Sequence, residues 1–67
     1  MSPEDLVGKK HNFDDGSVIE VIQVRDREID NESKPVITYL IHQHNCLPRK
    51  LLMPYNDFID RFGHLFE

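Results

Sequence analysis

His42, His44 and Cys46 stand two residues apart along the chain. On a strand, a period of two puts all three on one face, and two imidazoles with a thiolate form a zinc-binding set to which His11 or His64 would add a fourth ligand. Two features weigh against a metal. The chain has no Cys-x-x-Cys pair, and Asn45-Cys46-Leu47-Pro48 has the composition of a bend, which would break the alternation. Cys46 with His42 or His44 as its base is also a nucleophile pair on paper. Such a pair needs a pocket and a third group to orient the base, and 67 residues leave little room for one. The carboxylates of Asp14 and Asp15 precede Gly16 and read as a turn. Gly8, Gly16 and Gly63 all sit at breaks, and none belongs to a phosphate-cradling loop. The sequence therefore predicts no catalytic site, no cofactor and no resident metal, and His42, His44 and Cys46 read as surface groups ahead of ligands.

The chain around these residues punctuates itself clearly. Ser2-Pro3-Glu4-Asp5 has the order of a helix start, and Gly8 can end the turn that carries Leu6 and Val7 towards a sheet. Asp14-Asp15-Gly16 is a hairpin signal, which predicts strands over 9–13 and 17–25. In the second of these, Val18, Ile19, Val21, Ile22 and Val24 do not alternate strictly, so a bulge or burial on both faces is expected. Residues 26–34 are charged and aperiodic, a solvated loop or flaring hairpin tip that ends at Pro35. A third strand is expected from Val36 to about Gln43 and a short fourth from Arg49 to Met53. The terminal helix follows, with Asn56 as N-cap, Phe58 and Phe62 on one face, Asp57 and Arg61 paired on the wet side, and Gly63 as a stop. Leu65 and Phe66 are expected to tuck against the end of the sheet.

Length and charge bound what such a domain can be. Residues 1–67 make one small domain, in which only roughly 60% of the unfolded surface can be buried. A single cysteine, Cys46, allows no internal disulfide and suits a reducing compartment. The segment from Met1 to Asp5 lacks the pattern of a secretory leader, and no apolar run approaches the roughly 18 residues that span a bilayer. A cytoplasmic chain without membrane contact is the expectation. Eight Lys and Arg against twelve Asp and Glu give a net charge of −4, which works against unspecific attraction to a phosphate backbone.

Taken along its length, the chain resembles small SH3-like β-barrel proteins of the kind found in bacteriophage and mobile-element genomes. The residues that carry the likeness are Gly8-Lys9-Lys10, Asp15-Gly16, Ile19 to Val24, Pro35 to Leu40, and Met53 to Phe62. The resemblance implies a mainly β fold, a small, partly open barrel of four to five antiparallel strands with a short C-terminal helix. It also implies a non-enzymatic accessory protein that binds a host or phage macromolecule, and the reading that follows is a modulator or inhibitor of a host enzyme or defence complex that acts by surface occlusion, in the host cytoplasm if the gene is viral. It carries no site residues across.

From the residues themselves, the acidic run offers Asp26, Glu28, Asp30 and Glu32 to a basic protein partner; Tyr39 and Tyr55 are expected to be the more exposed aromatic groups, and either of them beside that run would make a mixed aromatic and acidic patch. A rival reading is a nucleic-acid module that uses Lys9, Lys10, Arg49 and Lys50 with Tyr39 stacking on a base. A third is a homo-oligomer formed through an exposed strand edge.

Overall fold

The structure, a computed structural model, describes residues 2–66. Four strands, β1 (Lys10–Asn12), β2 (Val18–Ile29), β3 (Glu32–His42) and β4 (Arg49–Pro54), form one antiparallel sheet in the order β1-β2-β3-β4. Helix α1 (Tyr55–Phe62) follows without a loop. The mainly β architecture with a short terminal helix is thus the one the sequence implies, and the sheet stays open because β1 and β4 are not paired.

The turns follow from local chemistry. Phe13 closes the first hairpin by donating its N–H to the Ser17 carbonyl at 2.8 Å while accepting from Gly16 N–H at 3.0 Å. The expected hairpin is present, but of the Asp-Gly pair only Gly16 has a positive φ, +89°, so its loop is a turn followed by a glycine bulge. The second hairpin is different. Asp30 and Asn31, at φ 52° and 65°, form a two-residue turn of the kind whose twist matches the flanking strands. This turn lets β2 and β3 run on through residues 26–34, a segment the sequence reads as loop or hairpin tip. The tolerance of Asp and Asn for the left-handed region supplies what apolar periodicity does not, and it does so although Arg27 faces the like-charged Lys34 across the ladder.

The bulge expected in β2 is present where the register shifts between Val21 and Gln23. It explains the broken alternation, because Ile19 and Val21 face the core before it and Val24 does so after it. Residues paired across an antiparallel ladder share a face. The inner face therefore holds Ile19 with Ile41, Val21 with Tyr39 and Leu51, and Val24 with Ile37 and Met53.

Helix α1 lies on that inner face. Phe58 is fully buried, with ring centroids 5.4 Å from Tyr39, 5.2 Å from Phe62 and 5.8 Å from Phe66. Burying a phenylalanine contributes about 1.5–3 kcal/mol, a large share of what a domain this small commands. Leu6, from the opening 3-10 turn Pro3–Leu6, closes the same core from the other end, whereas Val7 points outward instead of joining it.

Two helix boundaries depart from expectation. Pro54, not Asn56, is the N-cap of α1; the chain turns directly out of β4 at the proline, so Asn56 already lies in the first helical turn. Gly63 is not a left-handed stop, since its φ of −56° is helical and the chain continues into a 3-10 turn, Gly63–Leu65. Its lack of a side chain answers a steric need, because a Cβ there would sit 3.0 Å from Ile59 Cγ2. That last turn delivers Phe66 to the core, where the sequence places it.

Candidate functional site

Backbone parity decides which strand edges are open. Val21 donates its N–H to the Lys9 carbonyl at 3.0 Å, so the odd residues of β2 before the bulge bond β1 and its even residues bond β3. Carried across the register, the same alternation has Leu51 and Met53 bonding β3 while Lys50, Leu52 and Pro54 face the free edge of β4. Lys50 and Pro54 are residues that blunt an edge against strand addition. Pro35 obeys the same rule: its missing N–H would point to the β4 side one row beyond Pro54, where no strand remains.

Past that row β2 and β3 continue alone as a two-stranded ribbon. Its rows are Asp26 with Pro35, Arg27 with Lys34, Glu28 with Ser33, and Ile29 with Glu32, a projection of about 13 Å at 3.3 Å per residue. The molecule is correspondingly elongated, 40 × 25 × 18 Å. Alternation then splits the acidic run. Asp26 and Glu28 lie on the inner, helix-bearing face, opposite an uncharged proline and serine. Glu32 lies on the outer face, where its carboxylate is 3.6 Å from Lys34 Nζ. Asp30 occupies the turn. The four acids expected to act together are therefore three separate features, and Glu32 is withdrawn from the inner set by its position and its ion pair. Among the described residues neither Asp26 nor Glu28 takes part in an ion pair.

The two tyrosines differ. Tyr55 is half-buried at the start of α1 and, with Lys34, Pro35, Pro54 and Asn56, lines a shallow depression at the base of the ribbon. Tyr39 is only 4% exposed and packs in the core. Its place in the middle of β3, between β2 and β4 and under Phe58 and Phe62, buries it. Burial pushes its hydroxyl pKa up and the nearby Arg61 charge pulls it down. Base stacking on Tyr39 is ruled out by this burial. Among the described residues Asp57 and Arg61 form no ion pair.

The basic residues also separate. Lys10 and Lys50 share an outer-face row with Glu20 and Leu40, whereas Arg49 pairs with Ile41 and so belongs to the opposite face. Lys10 Nζ is 3.9 Å from Glu20 Oε2. The four cations Lys9, Lys10, Arg49 and Lys50 do not make one patch.

The imidazole and thiol groups are dispersed as well. β3 ends at His42, and residues 43–46 form a turn in which Cys46 donates its N–H to the Gln43 carbonyl at 3.1 Å and Asn45 has φ 60°. This turn breaks the period of two that would align His42, His44 and Cys46. His42 Nε2 is 3.4 Å from Glu20 Oε1 on the outer face. His11 is directed to the other side, with its ring against Phe13 at 4.9 Å and Phe66 at 6.5 Å. No metal-competent cluster of three ligands occurs among the described residues, nor does any helix there have the length and apolarity to cross a membrane.

Comparison with known proteins finds no matching family model, no matching curated protein and no matching solved structure.

Proposed function

We propose that this chain is a non-enzymatic protein-binding module that docks the inner face of its ribbon on a basic protein surface. The observation that carries the reading is the row Asp26 and Pro35, with Glu28 two residues further out and Tyr55 lining the depression beside Pro35. Two carboxylates without cation partners among the described residues keep their charge available to a partner, and an aromatic and proline surface next to them supplies apolar contact area. Charge of this kind speeds encounter and selects the partner, while the apolar anchor sets how long the complex lasts. Binding in this way on a surface that handles nucleic acid would occlude it, an inhibitory role compatible with the accessory protein that the SH3-like resemblance implies.

The test uses the intact chain immobilised against a bacterial lysate, beside an Asp26→Lys, Glu28→Lys variant and an Arg25→Glu, Arg27→Glu variant. A protein retained by the parent and by the arginine variant, but lost with the lysine variant, is the expected result, with its association rate at least tenfold slower for the lysine variant. Equal retention by all three removes the reading.

A further inference from the structure

The ribbon has a second face, and its chemistry is opposite. Arg25 pairs with Val36, and Arg27 with Lys34 one outer-face row further out. These cation-bearing positions thus lie about 6.6 Å apart along the strand and about 5 Å across it. Both arginines are exposed, and neither forms an ion pair among the described residues. Gln23 lies beside Arg25, and with its amide oxygen turned to the guanidinium it accepts from Arg25 Nε at 2.8 Å.

We propose that Arg25, Arg27 and Lys34 form a phosphate-binding face for duplex DNA, independent of the acidic face behind it. In a chain of net charge −4, the outer face of the projecting ribbon gathers three cations against one carboxylate, Glu32, and guanidinium groups match phosphate oxygens bidentately. The shape suits a duplex, because a flat ribbon face can lie against backbone phosphates without inserting side chains between bases. Single strands are the poorer fit. They are held by stacking on aromatic side chains, and Tyr39, Phe58 and Phe66 are committed to the core. Glu32, 3.6 Å from Lys34, acts as a brake on this face, competing with phosphate for the ammonium.

Fluorescence anisotropy of a labelled mixed-sequence duplex against the intact chain tests this. Three phosphate contacts predict that affinity falls about 40-fold between about 50 and 200 mM salt. The Arg25→Gln, Arg27→Gln, Lys34→Gln variant, checked for folding by circular dichroism, should lose at least tenfold in affinity. Glu32→Gln should tighten binding. Absence of duplex binding at about 50 mM salt, an unchanged affinity in the glutamine variant, or equal cation-dependent binding to vesicles of anionic lipid with none to duplex each overturns the proposal. None of these outcomes touches the acidic-face reading, which rests on different side chains and a protein partner.

Discussion

Asp15 Oδ1 accepts both the backbone N–H of Ser17, at 2.9 Å, and its hydroxyl, at 2.6 Å. One carboxylate oxygen thereby ties the glycine bulge of the first hairpin to the start of β2. Ser17 is itself buried, so the link reaches from solvent into the packed part of the sheet. The Ser17 hydroxyl and then its N–H favour the ionised carboxylate and hold the Asp15 pKa below its ordinary range. The linkage has a definite sign. A carboxyl whose pKa is depressed on folding contributes stability above its unfolded value of about 3.9, and that contribution disappears as pH falls through the folded value. Carboxyl-detected NMR titration should find Asp15 ionised at a lower pH than a free aspartate, and Ser17→Ala should move it back up. A titration unaltered by Ser17→Ala contradicts the assignment.

Phe58 should be the residue the fold tolerates losing least. It bridges Tyr39 of the central strand, Phe62 one helical turn on, and Phe66 of the returning terminus, so its removal opens a void that three elements line. Phe58→Ala in a packed core costs about 3–5 kcal/mol, and a core of this size supplies about 3–5 kcal/mol of net stability. The variant should be largely unfolded at 25 °C by far-UV circular dichroism, whereas Phe58→Leu should remain folded with a lowered urea midpoint. A cooperative transition for Phe58→Ala within about 1 kcal/mol of the parent would place the core elsewhere.

The legibility of this chain follows from which signals are local. Gly16 marks the first turn and the spacing of Phe58 and Phe62 marks the helix, because a positive φ and a four-residue period act within a few residues. The bulge shows itself as a lapse in alternation at Val21 and Ile22. What the sequence hides depends on register. No local rule says that Asp26 and Glu32 fall on opposite faces, because this is fixed by a turn at Asp30 and Asn31 that lacks the glycine usually sought there. Tyr39 shows the same limit. Its burial comes from occupying an inner-facing position of a central strand, information held jointly by β2, β4 and α1. Pro35 and Pro54 were the available clues, since each must lie where a backbone N–H has no strand to bond, and together they mark where the sheet ends and the ribbon begins.

Because the ribbon carries both proposed surfaces, its turn should control them together. Asn31 at φ 65° occupies a conformation that costs an ordinary L-residue about 1–2 kcal/mol, and a β-branched side chain is the least suited to it. Asn31→Val should therefore destabilise the hairpin by that amount, while Asn31→Gly, which meets the turn's φ requirement but loses more backbone entropy on folding, should change stability by less than about 1 kcal/mol. The damage should be local. The ladder beyond Pro35 has no third strand to support it, so in Asn31→Val amide exchange should accelerate at Arg27 through Lys34 and remain slow at Ile19, Val21 and Tyr39. Uniform acceleration across the sheet would show instead that ribbon and core fold as one unit. In the local case both faces lose their spacing at once, and Asn31→Val should weaken duplex binding and protein capture alike without altering a single charge.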